Sequence, residues 1–134
     1  RQFREEIRER EGKDFVVKQI IKEIHDLIDA GQRYIVADGL YTWTEYKLLK
    51  REFPGELTVV AVVAPKRLRH HRLTLRPVRP LTVEEASSRD WAEIENLEKG
   101  GPIAIADYFL NNDKNIDILE ERIDTLLKDL NFQA

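Results

Sequence analysis

The chain has 134 residues, 42% apolar and 35% charged, with 22 basic against 25 acidic side chains and a net charge of −3. That suits one globular domain, 1–134, with room for a single core, and excludes a disordered chain. There is no cysteine, which removes disulfides and thiolate metal sites, and neither a secretory signal pattern nor an apolar run near the roughly 20 residues of a membrane span. A cytoplasmic setting without a membrane partner is the expectation.

Phe3 and Ile7 among charges read as a short opening helix, broken at Gly12. From Asp14, a residue suited to cap a helix, Val16, Val17, Ile20, Ile21, Ile24, Leu27 and Ile28 draw a helical stripe that Gly31 should close. Arg33–Asp38 is a short β-rich run. Thr42 and Glu45 have the spacing of a capping box and predict a helix to about Phe53, with Pro54 and Gly55 as a turn. Leu57–Val63 is almost wholly apolar, the pattern of a central parallel strand covered on both faces.

Pro65 opens a helix expected to run until Pro77 stops it. A second capping box, Thr82 and Glu85, starts another, ended near Lys99 by Gly100, Gly101 and Pro102. Ala106–Leu110 reads as a last strand, and Ile116, Leu119, Ile123, Leu126, Leu127 and Leu130 trace a terminal amphipathic helix from Asn115. Strands alternating with helices predict an α/β fold, a parallel sheet with flanking helices. Three strands are few for such a sheet. No methionine occurs at any position, the first included, and both facts read as a fragment of a longer product.

The charge is unevenly spread. Pro65–Arg79 holds six Lys or Arg (Lys66, Arg67, Arg69, Arg72, Arg76, Arg79), two histidines and no carboxylate. Taking those six from 22 leaves 16 basic residues against 25 acidic ones elsewhere. A positive segment in an acidic chain fits an anion met at one place, most simply a phosphate. On a continuous helix Arg69, Arg72 and Arg76 share one face, with Leu68 and Leu75 on the packing side. The same run also fits a solvated basic helix balanced by the acidic helix after it, and composition alone does not choose. Asp38 falls at a strand's carboxyl end, where open α/β folds bind ligands, but equally suits a turn. Asn111, Asn112 and Asp113 could cap the last helix. His70 and His71 are adjacent rather than a turn apart, which argues against zinc. Trp43 and Trp91 read as packing residues, and Glu45 and Glu85 are accounted for by their capping boxes.

Three pieces in order carry a resemblance: Ile35–Gly39; Val59–Pro65 followed by Arg72, Arg76 and the Glu84-Glu85-x-x-x-Arg89 pattern; and Ala106–Asn112. Over residues 33–130 they resemble the P-loop nucleotide kinases, most closely the dephospho-CoA kinases. The resemblance implies a P-loop kinase-like fold in which 65–99 is a lid, Arg72 and Arg76 close over phosphates, and Arg89 follows the lid's acidic pair. It also implies that Asp38 holds a magnesium-bound water and that Asn112 lies beside the nucleobase. The implied cofactors are ATP and Mg, and the implied partner is a nucleotide-like acceptor.

Two departures stand out. Lys114 occupies the place where the family usually has glycine, and the phosphate-binding Gly-x-x-x-x-Gly-Lys-Ser/Thr loop is absent from 1–134. By resemblance that loop and the first strand lie upstream, the strand between 33–38 and 57–63. The chain alone is then expected to be inactive, its gap left open or filled by forming a homo-oligomer. Two other classes remain: a nucleic-acid-binding module using 65–79, disfavoured by the acidic remainder and the lack of interleaved aromatics, and a non-catalytic domain of kinase-like architecture.

Overall fold

The computed structural model describes residues 15–132. The expected opening helix, the break at Gly12 and the Asp14 cap lie outside the described residues. Helix α1, Phe15–Asp29, follows its apolar stripe, with Val17 only 1% exposed. Gly31, at φ 96°, closes it as expected: the Gly31 amide donates to the Ile28 carbonyl and that of Gln32 to Leu27. This left-handed position suits glycine because a Cβ would be strained there.

Helix α2, Trp43–Glu52, starts with the capping box read from sequence: the Glu45 amide donates to Thr42 Oγ1 at 3.0 Å, and the Glu45 carboxylate accepts from the Thr42 amide at 3.0 Å. Helices α1 and α2 pack through Val17, Leu49 and Phe53, with Ile21, Ile24, Leu40, Leu48 and Leu57 around them. His25 Nε2 meets Glu52 Oε1 at 2.7 Å and its ring lies 5.2 Å from that of Phe53, tying the far end of the pair.

Among the described residues the sheet has two parallel strands, β1 (Val60–Val63) and β2 (Tyr108–Asn111), in register from Val60 opposite Tyr108 to Val63 opposite Asn111. Asp107 extends the pairing: its amide donates to the Val59 carbonyl and its Oδ2 accepts from the Val59 amide, both at 2.8 Å. Between the strands run α3 (Lys66–Thr74), α4 (Val83–Leu97) and the short α5 (Gly100–Ala104). Helix α6 (Ile116–Asp129) follows and packs on β2. The α/β class and the parallel crossover are as expected.

Three expectations about the sheet and its connections are corrected. The β-rich run 33–38 is not a strand. Strand character is a property of a hydrogen-bonded ladder, and no described segment pairs with it. Val36 is 77% exposed, and Tyr34 instead meets the Phe132 ring edge-on at 5.1 Å. Next, β1 is shorter than 57–63 and not covered on both faces. Ala61 is buried but Val62 is 59% exposed, as fits a sheet only two described strands wide. Last, Gly100–Pro102 does not lead straight to the strand. After α4 ends on Glu98 in the left-handed region, the chain turns once more into α5, which packs on α2.

That contact is close. A Cβ at Gly101 would stand 2.6 Å from Trp43 Cε3, and the Trp43 ring stacks on Tyr46 at 5.2 Å and 6°. Trp43 is thus a packing residue, as read. Trp91 is not: on α4 it is 65% exposed, with Val83 and Ile94 also open, because that face of the helix has no described neighbour.

Candidate functional site

Because β1 and β2 are parallel, their carboxyl ends open on the same side, and the segments that follow them, α3 and residues 112–114, meet there. Arg72 makes the connection. Its Nη1 donates to the Asn112 carbonyl at 2.5 Å and its Nη2 to the Lys114 carbonyl at 3.2 Å. From the other side Arg122 on α6 donates to the Asn111 carbonyl at 2.5 Å and to Asp113 Oδ1 at 2.6 Å. The Arg122 hydrogen bond holds the Asp113 carboxyl below the usual carboxylate range. Two arginines therefore grip the loop after β2. The cap of α6 is Asn115, whose Oδ1 accepts from the Ile118 amide at 3.0 Å, so the alternative that Asn111–Asp113 cap this helix does not hold.

Helix α3 ends earlier than expected. Thr74 Oγ1 donates to the His71 carbonyl at 2.6 Å and the last turn closes at Leu75, since Pro77 disfavours helical backbone at Arg76. Arg76 consequently lies beyond the helix and does not continue the face of Arg69 and Arg72. Leu75, 67% exposed, does not join Leu68 in packing.

Arg69 has another task. Its Nη1 and Nη2 fork onto Asp90 Oδ1 and Oδ2 at 3.0 and 3.1 Å, and His70 Nε2 meets Asp90 Oδ2 at 2.8 Å. The Arg69 hydrogen bond, with that of His70, holds the Asp90 carboxyl below its ordinary value against the opposing effect of burial. An ionised carboxylate only accepts, so His70 Nε2 donates. The His70 side chain is 8% exposed, and this triad binds α3 to α4. Sequence reasoning missed it. The available signal was Asp90 one turn after Ala86, a fully buried residue on the face that α4 turns to α3.

Beyond the triad, between the end of α3 and the first turns of α4, is an open cleft of about 680 Å³ lined by Arg76, Arg79, Leu81, Glu84, Glu85, Ser88 and Arg89. Arg76 Nη2 donates to the Arg79 carbonyl at 2.6 Å, and Arg89 Nε to Glu93 Oε1 at 3.3 Å. Glu85 Oε1 accepts from the Thr82 amide in the second capping box. The five expected site residues thus fall into three places. Arg76 and Arg89 share the cleft, Arg72 and Asn112 are joined at the strand ends, and Asp38 is exposed in the segment between α1 and α2.

No family model matches the chain. Over 129 residues it is 40% identical to a UPF0200 protein of Sulfurisphaera tokodaii, covering 94% of this chain and 68% of that relative. The chain belongs to the UPF0200 family. Two further UPF0200 proteins agree: that of Thermococcus gammatolerans is 33% identical over 125 residues (91% of this chain, 65% of the relative), and that of Thermococcus kodakarensis 32% over 127 residues (92% and 68%). The chain therefore spans about two thirds of the length of these UPF0200 relatives. Their names state no activity, and the likeness to nucleotide kinases rests on this chain's own residues. Among the described residues no helix is long and apolar enough to cross a membrane.

Proposed function

We propose that the UPF0200 protein is an ATP-dependent phosphotransferase of the P-loop kinase type, acting on a nucleotide-like acceptor, and that this chain carries its phosphate-closing portion. The observation that carries the reading is the cleft in which Arg76 and Arg89, from different segments, line one space. Phosphoryl transfer asks little covalent chemistry of a protein and much positioning and charge neutralisation. Guanidinium groups suit that work because they fork onto phosphate oxygens and stay charged at every working pH.

By residue type the implied groups are suited at three separate places: the cleft, the end of β2 and the exposed segment of Asp38. The arginine-lined cleft suits phosphate oxygens, and the Asn112 side-chain amide, at the carboxyl end of β2, can both donate to and accept from a base edge. Asp38 is an exposed carboxylate of the kind that holds a magnesium-bound water. Magnesium commonly takes only one or two carboxylates and leaves its other positions to water and phosphate. When bound, ATP and Mg supply the transferable phosphoryl group and the cation that offsets its charge. The chain's part is to hold the oxygens with Arg76 and Arg89, with Arg72 tying the lid to the loop after β2.

The test uses the protein at the full length of its UPF0200 relatives. It should bind ATP–Mg, and this chain alone should bind at least about tenfold more weakly. Arg76→Ala and Arg89→Ala should each lower kcat/KM by at least about tenfold with the fold intact. Absence of ATP binding at full length overturns the reading, and equal affinity of chain and full-length protein overturns the assignment of the missing phosphate-binding loop.

A further inference from the structure

Arg79 adopts a backbone its sequence setting disfavours. Its φ is 53°, in the left-handed region that non-glycine residues avoid, and it precedes Pro80, which biases the residue before it toward extended backbone. Two contacts hold the turn: Arg76 Nη2 donates to the Arg79 carbonyl at 2.6 Å, and the Leu81 amide donates to the Leu73 carbonyl at 3.0 Å. The turn adds Arg79 to the wall of the cleft that Arg76 and Arg89 also line. Three guanidiniums line this space against two carboxylates, Glu84 and Glu85, and Glu85 Oε1 already accepts from the Thr82 amide, so the wall keeps an excess of guanidinium donors, one of them carried on strained backbone. Arg72, expected to close on phosphate, is engaged elsewhere by the carbonyls of Asn112 and Lys114 and does not line the cleft.

We infer that Arg79 is a third guanidinium ligand of the cleft, which takes a diphosphate-class anion through Arg76, Arg79 and Arg89, and that Arg72 is a structural tie outside it. The inference rests on the reading of the cleft as a phosphate site. Three guanidiniums offer more donors than one phosphate group can accept at once, because Arg76 and Arg89 each spend only part of their fork on protein acceptors. Ser88 adds a neutral donor on the α4 side. A diphosphate, with oxygens on two phosphorus atoms, uses more of that set.

The experiment is calorimetric titration of this chain with inorganic pyrophosphate at low salt, where such contacts are least screened. The wild type should bind. Arg79→Gly should bind at least about fivefold more weakly, since a charged donor is lost, while its Tm stays equal or rises because glycine accepts the left-handed backbone. Arg79→Lys should lie between the two. Arg72→Ala should bind pyrophosphate within about twofold of wild type but melt lower. No binding by the wild type, or full binding by Arg79→Gly, overturns the inference. A loss of binding in Arg72→Ala with unchanged Tm overturns the structural role. A full-length protein that binds pyrophosphate through Arg79 yet shows no ATP-dependent transfer would sink the phosphotransferase reading and leave this inference standing.

Discussion

Arg72 Nη1 lies 2.5 Å from the backbone carbonyl of Asn112, a link from α3 to the end of β2 across 40 positions of sequence. A half-buried guanidinium hydrogen-bonded to two carbonyls that have no other described partner contributes more than an exposed ion pair. Arg72→Ala should destabilise the chain by about 1–2 kcal/mol. Arg72→Lys should recover little of it, because an ammonium cannot span both carbonyls in one plane. Urea denaturation measures both, and an Arg72→Ala variant as stable as wild type would remove the link.

Asp90 should make stability depend on pH in the acid range. Its folded pKa is depressed, chiefly by the hydrogen bond from Arg69, so the unfolded state binds the proton more readily. The contribution is fully present above the ordinary aspartate value of about 4 and is lost as pH falls through the lower folded value. Asp90→Asn should cost about 1–2 kcal/mol near neutral pH, a figure kept low because Arg69 is 41% exposed. The gap between variant and wild type should narrow below about pH 4. A gap that stays constant from pH 7 to pH 3 contradicts this account of the triad.

The two capping boxes invite a direct comparison. Their geometry matches, with the Glu45 amide 3.0 Å from Thr42 Oγ1 and the Glu85 amide 3.1 Å from Thr82 Oγ1. Their surroundings differ: Thr42 and Glu45 are buried, at 9% and 1% exposure, whereas Thr82 and Glu85 are open to solvent. Water replaces a lost cap at the second site and not at the first. Thr42→Ala should cost about 2 kcal/mol and Thr82→Ala about 0.5–1. Equal losses in thermal or urea melts would show that burial does not set the difference.

Gly101→Ala tests the contact of α5 with α2. Alanine favours a helix, but a Cβ 2.6 Å from Trp43 Cε3 and 3.1 Å from Cδ2 forces the indole off Tyr46 or pushes α5 away. A loss of about 1–3 kcal/mol is expected, with a shift in tryptophan emission. Trp43→Phe in the same chain should relieve part of the loss. A Gly101→Ala variant with wild-type stability and emission refutes the close approach.

The helices were largely legible because their signals are local. Thr42, Thr82 and Asn115 cap within three residues, and Gly31 supplies the one backbone conformation that α1 needs to end. The site was half legible. The basic run pointed to Arg76 and the family resemblance to Arg89, which share the cleft, but a single helix over Pro65–Pro77 would have put Arg76 on a face it does not occupy.

By itself, then, the sequence determined the α/β order, the caps, the parallel crossover and the concentration of positive charge between β1 and α4. The caps follow from interactions within a turn or two of chain, and the parallel crossover from the alternation of strands with helices along it. Only the tertiary structure decided which arginine meets which partner: Arg69 goes to Asp90, Arg72 to Asn112 and Lys114, and Arg76 and Arg79 to the cleft. It also decided that 33–38 forms no strand among the described residues. Ion pairs and ladders join residues distant in sequence, and nothing in local propensity specifies which distant group arrives.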